Sequence, residues 1–443
     1  MRRGTKFASV RWMNQPAYAM EDDGARPISG GLLAFGRLLT VVLLLAVSPL
    51  TLFMFGWQYF DTGGSPLEKF HPATLLAVAL LALLATNQAR NPISGLIALM
   101  QRNQGLIPYF VAIGFMIAYT AVILKQPVTI FIETFAGAAL MFLLFQDLDE
   151  KAGRTLARII HLVMFANAML AFYEVFNGFH LTPLVVNGEV LAEEPRATAL
   201  LGHPLGNAIL AGAYVVMLAL GGGRDLPVAL RPIVFVVALA SLVPFGGRAA
   251  TGAALLSLVF LVVKRLWDIT RGASFEPRSV IAGLVIGPLA AIALVAANEM
   301  GAFDTLTNRL FDDEGSAGTR IEMFELFKYL TPYDWVFGPD PASLMTWVRL
   351  HGLEYGIESF IVAFVLNFGL LCAVVFFPPL ALFFLTLARA GRPGSGLAVV
   401  YFLAVSLTSI SLSSKSPTLS IFVMLLVILL RPPQLEGAVS GET

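Results

Sequence analysis

Three arginines have the residue type and the local setting to bind a phosphorylated ligand. Arg196 precedes an apolar segment, Arg248 lies in a short turn between two apolar segments, and Arg320 begins an amphipathic stretch. A guanidinium is planar and permanently charged, so it binds phosphate oxygens in a bidentate manner without a metal. Three of them at one site would suit a diphosphate, whereas each one alone is equally well explained as an anchor to lipid phosphate.

Glu358 is the first candidate for proton transfer. It lies where the long polar interval at about 298–356 returns to apolar sequence. A carboxylate with apolar neighbours can take a proton from a hydroxyl group near neutral pH. An ion pair with Arg320 or Arg349 is an equally good interpretation of the same residue. Two other side chains of this interval are alternatives for the catalytic role, namely His351 and Glu354.

The remaining polar residues give weaker signals. His203 precedes Pro204, so it is as well explained by the start of a helix as by a ligand. The acidic run 312–314 is more simply a solvated loop than a cation site. No phosphate-binding glycine loop, zinc-protease motif or dinucleotide fingerprint is present. We therefore predict no cofactor and no metal.

The elements that position these residues are membrane helices. Hydrophobic residues make up 57% of the chain and charged residues only 13%, about half the charge of a typical soluble domain. Apolar runs of about 17–25 residues recur, long enough to cross a bilayer as helices. The single cysteine, Cys372, excludes an intramolecular disulfide. The fold class is therefore all-α, a polytopic transmembrane bundle.

We predict about twelve spans. They lie near 32–57, 72–88, 106–124, 127–146, 156–177, 199–220, 230–245, 248–265, 279–297, 357–388, 396–412 and 416–431. The 91–104 stretch is predicted to be an interfacial turn or a short re-entrant segment, and Pro378 and Pro379 should kink the tenth span. A basic tail, 1–31, precedes the transmembrane domain, 32–431, and a second tail, 432–443, follows it. The polar interval forms a large loop or cap between spans nine and ten.

Lysine and arginine predict the orientation. Loops on the side of the N-terminus carry two or more basic residues each, whereas the short loops on the other side carry one each. Both termini are then cytoplasmic, and the cap faces outward, into the periplasm if this is a bacterial inner membrane. The basic residues of the short outer loops are Lys69, Lys125, Arg196, Arg248 and Lys415.

Three segments together resemble the O-antigen polymerase and O-antigen ligase superfamily. They are R-A-x-x-x-x-G-H-P-x-G-N at Arg196–Asn207, G-G-R-A-A at Gly246–Ala250, and T-R-I-E-M-F followed by G-P-D-P within Thr319–Pro341. An apolar helix with N-F-G-L-L at Asn367–Leu371 follows them. The resemblance covers about residues 190–375, and it depends on the order and spacing of the segments.

The resemblance implies a membrane glycosyltransferase. Members of this family take a glycan from undecaprenyl diphosphate at the periplasmic side and join it to an acceptor, and the family's arginines hold the diphosphate. The expected partners are an undecaprenyl-diphosphate-linked oligosaccharide, an acceptor glycan, membrane lipids and a chain-length regulator protein. The energy would come from the diphosphate leaving group of the donor.

One departure from the family bears on the acceptor. Ligases of the family have a His-Asn or His-Ser pair about eleven residues before a glycine that corresponds to Gly369. That position here is Glu358, followed by Ser359, and His351 lies two helical turns away. The replacement favours a polymerase, whose acceptor is another lipid-linked repeat, over a ligase that uses lipid A core or protein.

A transporter or flippase for a lipid-linked or amphipathic solute is the main alternative. Transporters of this size are typically built from repeats and carry ionisable residues at mid-membrane depth. The two halves of this chain show no repeat, but Glu133 and Glu174 lie in or near predicted spans. The formal net charge of zero argues against nucleic acid as a partner.

Overall fold

The computed structural model describes residues 30–60, 63–88, 91–186, 189–190, 196–272, 316–353 and 356–432, with the backbone alone for 88, 185–186, 189–190 and 316–320. Several predicted features lie outside the described residues. They are most of both tails, the ninth span near 279–297, the acidic run 312–314 and Glu354.

The described residues up to Asn177 form seven α-helices. They are α1 (Gly30–Ala46), α2 (Pro49–Met54), α3 (Pro72–Gln88), α4 (Pro92–Gln101), α5 (Leu106–Val122), α6 (Gly137–Phe145) and α7 (Glu150–Asn177). A π-helical segment, Phe131–Ala136, leads directly into α6, and a short 3₁₀ helix, Pro66–Lys69, precedes α3.

Ten further α-helices follow within the described residues. They are α8 (Pro204–Ala219), α9 (Leu230–Ala240), α10 (Leu242–Phe245), α11 (Arg248–Thr270), α12 (Ser316–Glu325), α13 (Pro332–Phe337), α14 (Pro341–Leu350), α15 (Phe360–Ala390), α16 (Ser395–Ser406) and α17 (Thr418–Leu429). Short 3₁₀ helices lie at Gly222–Asp225, Leu326–Tyr329 and Ile410–Leu412. A hairpin of two antiparallel two-residue strands, Val185–Val186 and Glu189–Val190, completes the described secondary structure.

The helical fold class is confirmed for the described residues. Within them, three helices are long and apolar enough to cross a membrane, namely α7, α11 and α15. Helices α3 and α4 would add a fourth span if the two together count as a single broken span; the angle between them is 95°. The predicted spans outside 273–315 coincide with these helices or with shorter apolar ones. The total of about twelve spans stays a prediction.

Helix α17 is at the centre of the bundle. Every residue from Thr418 to Leu429 is buried, as expected of a helix that is apolar on all sides. Its Phe422 ring stacks on Phe402 of α16 with the centroids 4.1 Å apart. Helix α11, by contrast, exposes Leu256, Val259 and several other large apolar side chains. An apolar helix that is exposed in this way fits a lipid-facing position.

Helix α15 reverses direction at Gly369. The Phe364 and Phe376 ring centroids are 5.3 Å apart, and those of Phe360 and Phe377 are 5.6 Å apart. In a continuous helix, residues twelve positions apart would be separated by about 18 Å. The predicted span at 357–388 is therefore wrong in its extent: 360–368 folds back along 370–390. The second part alone is about 30 Å long and still sufficient to cross a bilayer.

Gly369, not the proline pair, causes this break. It has φ 78° and ψ 171°, the only non-helical dihedral angles within α15, whereas Pro378 and Pro379 lie inside the helix. A Cβ atom at Gly369 would overlap the Val336 carbonyl oxygen and the Gly338 nitrogen. The reversal therefore requires glycine both for its backbone angle and for the close approach of α13.

We expect Gly369→Ala to destabilise the protein strongly. The strained angle costs about 1–3 kcal/mol for a residue with a Cβ atom, and the overlap with the Val336 and Gly338 backbone adds to it. The measurement is the melting temperature of the protein in detergent. Gly114→Ala is the control, because a Cβ atom there would meet nothing within 4 Å. Equal melting temperatures for the two variants would contradict the strained reversal.

Candidate functional site

The predicted outer loops lie together at one end of the bundle. The Lys415 ammonium donates to the Tyr59 carbonyl oxygen at 2.6 Å, and the Ala197 nitrogen donates to the Pro244 carbonyl oxygen at 2.9 Å. The Tyr119 hydroxyl donates to the Phe337 carbonyl oxygen at 2.7 Å. We call this end the cap face, after the cap formed by residues 316–353. Arg431, at the inner end of the last predicted span, pairs at 2.9 Å with Asp225 of a predicted inner loop at the opposite end.

A buried carboxylate holds the loop that carries Arg196. Glu174, at the end of α7, is fully buried. It accepts hydrogen bonds from the backbone nitrogens of Leu181, Thr198 and Ala199 at 2.8–2.9 Å. These bonds hold Ala199 at φ 43°, which is unusual for a residue with a side chain. Glu174 therefore has a structural role in positioning Arg196, which is half-buried.

Two asparagines fix the other side of the same loop. Asn167 accepts from the Leu200 nitrogen at 2.9 Å and donates to the Asn207 side chain, which donates in turn to the Thr198 carbonyl oxygen. His203 is the N-cap of α8, and its Nδ1 accepts from the Gly206 nitrogen at 3.5 Å. The histidine therefore fits the helix-start interpretation.

We expect Glu174→Gln to lower the free energy of unfolding by about 1.5–3 kcal/mol, the value of a hydrogen bond to a charged group. A glutamine would place an amide donor against backbone donors in the buried loop. The matched control is Glu150→Gln at the other end of α7, where the carboxylate makes an exposed ion pair with Arg154; such pairs contribute at most about 1 kcal/mol. Equal stability of the two variants in denaturant would remove Glu174 as the anchor of the loop.

Arg248 lies beside the Arg196 loop. The bond from the Ala197 nitrogen to the Pro244 carbonyl oxygen joins the loop to the turn before Arg248. Gly246 takes φ 65° in this turn, and Gly247 packs so closely on Ala208 of α8 that a Cβ atom would overlap it. The Arg248 side chain is exposed at the start of α11. The structure thus brings the Arg196 and Arg248 segments together.

Arg320 lies in α12 of the cap, but its side chain is outside the described part of the structure. The cap has its own apolar core, which includes Met323, Leu326 and Leu344. His351 joins its helices: Nδ1 lies 2.7 Å from a Glu322 carboxylate oxygen and Nε2 lies 3.1 Å from the Tyr329 hydroxyl. Both ring nitrogens have partners within the cap, which gives His351 a structural role. Arg349, two residues earlier, is exposed.

The folded-back part of α15 links the cap to the bundle. Val362, Ala363 and Leu366 join the apolar core of the cap. On the other side, Phe360 lies 6.1 Å from Phe135 and Phe368 lies 5.2 Å from Phe131, centroid to centroid. The residues that contact the cap and those that contact the bundle lie on opposite faces of this short helix. The nine residues 360–368 therefore fill the space between the cap and the bundle.

Glu358 lies below the surface of the cap face. It is half-buried and precedes Ser359, whose hydroxyl caps the folded-back helix by accepting from the Val362 nitrogen at 3.5 Å. Because Phe360 lies beside Phe377, this end of the helix is about 12–14 Å below the reversal at Gly369, at 1.5 Å per residue. Gly356 lies against Ile410, to which a Cβ atom would come within 3.0 Å.

Sequence reasoning missed a buried polar cluster nearby. The Glu133 carboxylate, fully buried in the π-helical segment, accepts from the Thr74 hydroxyl at 3.0 Å and the His71 nitrogen at 3.2 Å. The Lys415 ammonium lies 3.8 Å from the centroid of the Tyr59 ring. Burial lowers the pKa of Lys415 to about 8, although Glu133 opposes the shift. We call these residues the Glu133–Lys415 cluster.

Two further contacts connect this cluster to the other segments of the cap face. The Ser416 nitrogen donates to the Thr134 hydroxyl at 3.0 Å, and a Cβ atom at Gly206 would lie 3.9 Å from the Thr418 hydroxyl. The Tyr59 hydroxyl is buried without a hydrogen-bond partner in the part of the chain described. A π-helical turn often marks a functional position, but no sequence pattern identifies such a turn here.

No family model matches this sequence, and no curated protein matches it either. The family resemblance therefore rests on the motifs alone. Among the residues that the structure describes, no three His, Cys, Asp or Glu side chains form a group that could hold a metal ion.

Proposed function

We propose that the protein is a membrane glycosyltransferase of the O-antigen polymerase or ligase type. It transfers a glycan from undecaprenyl diphosphate to an acceptor glycan during synthesis of a surface polysaccharide. The polymerase reaction is the first choice, with another lipid-linked repeat as acceptor, and transfer to lipid A core or protein is the alternative. The proposal includes a bundle of about twelve spans in a bacterial inner membrane, with both termini in the cytoplasm and the cap in the periplasm.

The observation that carries the proposal is that two arginine motifs from separate parts of the sequence lie next to each other in the fold. The hydrogen bond from Ala197 to Pro244 places the Arg196 loop beside the turn before Arg248. Two guanidinium groups on adjacent rigid segments suit the two phosphates of a diphosphate. In this proposal Arg320 completes the clamp from the cap, because it belongs to the third motif.

Glu358 supplies the base in this proposal. A hydroxyl of the acceptor sugar attacks the anomeric carbon of the donor glycan while Glu358 takes the hydroxyl proton. The bond between the anomeric carbon and the phosphate oxygen breaks, and undecaprenyl diphosphate leaves with its charge held by the arginines. The half-buried position of Glu358 next to the apolar start of α15 supports this role.

The test is glycan lengthening by the purified protein in liposomes supplied with undecaprenyl-diphosphate-linked oligosaccharide. The expected product carries two or more repeats on one lipid. The transferase assignment would be overturned if the protein neither lengthens the donor nor transfers the donor's glycan to lipid A core or to a protein acceptor.

A transporter or flippase is the second candidate, and the Glu133–Lys415 cluster favours it. A buried carboxylate within an apolar helix, close to a lysine of lowered pKa, is typical of sites that exchange protons during transport. Movement of an intact lipid-linked oligosaccharide across the liposome membrane, abolished by Glu133→Gln, is the result that would support it.

A further inference from the structure

A cavity of about 980 Å³ opens on the face opposite the cap face. It lies between the start of α7, the 3₁₀ helix at Gly222–Asp225 and the end of α17. Its charged lining consists of Arg154, Arg158, Arg224, Arg431, Glu150 and Asp225. Four guanidinium groups against two carboxylates leave the lining with an excess of positive charge.

Each carboxylate already has an arginine partner. Arg154 pairs with Glu150 at 2.6 Å and Arg431 pairs with Asp225 at 2.9 Å. Arg431 is also held by the carbonyl oxygens of Gly153 and Ile428, at 3.2 and 2.9 Å, so it is part of the framework of the cavity. The excess charge therefore resides on the other two arginines.

Arg158 and Arg224 carry this excess. Arg158 is exposed, and its Nε donates to the Asp225 carbonyl oxygen at 3.3 Å. Arg224 Nε lies 3.9 Å from an Asp225 carboxylate oxygen that has no hydrogen-bond partner in the described part of the chain. Burial lowers the pKa of Arg224, and the charges of Arg431 and Arg392 lower it further. The positive charge at this site is thus only partly balanced by the protein.

The wall of the cavity also holds an unused donor. The Gln146 side-chain nitrogen is buried and has no hydrogen-bond partner among the described residues, while its oxygen accepts from Asn103 at 2.7 Å. Leaving a buried donor unpaired costs about 1–3 kcal/mol. An anionic oxygen in the cavity would relieve the charge excess.

Apolar surface continues from the cavity along α9. Leu226 and Pro227 line the cavity. The next large apolar side chains are exposed: Val228 by 70%, Leu230 by 45% and Ile233 by 47%. A cationic cavity that passes into an apolar helix face suits an amphiphile with an anionic head, not a small soluble anion.

We propose that this cavity binds the phosphate group of an anionic membrane lipid, with Arg158 and Arg224 as the binding residues and the start of α9 along the acyl chains. This lipid site is separate from the proposed transferase site, because it uses none of that site's residues and lies at the other end of α7. Bidentate binding by two forked guanidinium groups is the usual mode for phosphate.

The test uses acyl-labelled phosphatidylglycerol and the purified full-length protein in detergent. The variant is Arg158→Gln with Arg224→Gln, and the matched control is Arg265→Gln with Arg389→Gln, which removes two exposed arginines from α11 and α15. We expect the variant to bind the lipid at least about tenfold more weakly than wild type, the scale of one lost charge-assisted hydrogen bond. The control should bind within about twofold of wild type.

Equal lipid affinity in the Arg158 and Arg224 variant and in wild type would overturn the site. Displacement of the labelled lipid by inorganic phosphate as effectively as by unlabelled phosphatidylglycerol would overturn the lipid assignment in favour of a free phosphate compound. If the double variant fails to fold, Arg158→Gln alone carries the test, because that side chain is exposed. Its binding should then fall while its melting temperature without lipid stays at the wild-type value.

Discussion

Glu358→Gln is expected to bind the lipid-linked donor normally and to transfer glycan about a hundredfold more slowly. Glutamine keeps the size of the side chain and most of its hydrogen bonding, but it cannot accept the proton of the acceptor hydroxyl. The measurement is glycan chain formation by purified protein in liposomes, with donor binding followed in parallel. A loss of turnover without a loss of binding separates proton transfer from simple packing.

Two companion variants sharpen this result. Glu358→His places at this position the residue type that ligases of the family carry, and it should recover part of the activity. Glu322→Gln is the matched control, because Glu322 is a cap carboxylate that pairs with His351 in a structural role. Full activity of Glu358→Gln would remove Glu358 from the mechanism and leave an ion-pair role. Of the two alternatives for the base, His351 has a structural role, so Glu354 would remain.

Arg248→Lys is expected to reduce glycan transfer tenfold or more. Lysine keeps the positive charge but loses the planar fork that binds two phosphate oxygens at once. Because Arg248 is exposed at the start of α11, its replacement should leave the melting temperature of the protein unchanged. The loss should appear as weaker donor binding, which distinguishes it from the effect of Glu358→Gln.

Arg196→Ala and Arg320→Lys should weaken transfer in the same way, since both belong to the same proposed clamp. The matched control is Arg389→Lys, an exposed arginine in the last turn of α15 at the opposite face. Near-normal glycan chains in all three clamp variants would reduce these arginines to anchors for lipid phosphate.

Hydropathy predicted the described helices well because a bilayer imposes a length and a composition on any helix that crosses it, and the apolar runs were read by those two criteria. The distribution of basic residues also predicted which loops share a face: Lys415 contacts Tyr59, and the Arg196 loop contacts the turn before Arg248. Hydropathy and the distribution of basic residues are both properties of short stretches of sequence. They therefore depend little on which helix packs against which.

The site depends on contacts that local patterns do not encode. Glu174 anchors a loop more than twenty residues away, and Thr134 accepts from Ser416 across most of the chain. The reversal at Gly369 was missed because 360–368 is as apolar as a span. Pro378 and Pro379 lie inside α15, and the kink predicted for them stays a prediction.

The fate of one lipid-linked oligosaccharide in sealed proteoliposomes tests the central claim most directly. Donor carrying labels on both the lipid and the glycan is added, and bond cleavage and movement across the membrane are followed in the same sample. The transferase account predicts release of one undecaprenyl diphosphate for each glycan joined, in wild type and not in the variant that combines Arg196→Ala with Arg248→Ala. Movement of the intact doubly labelled lipid with no release of undecaprenyl diphosphate would contradict it.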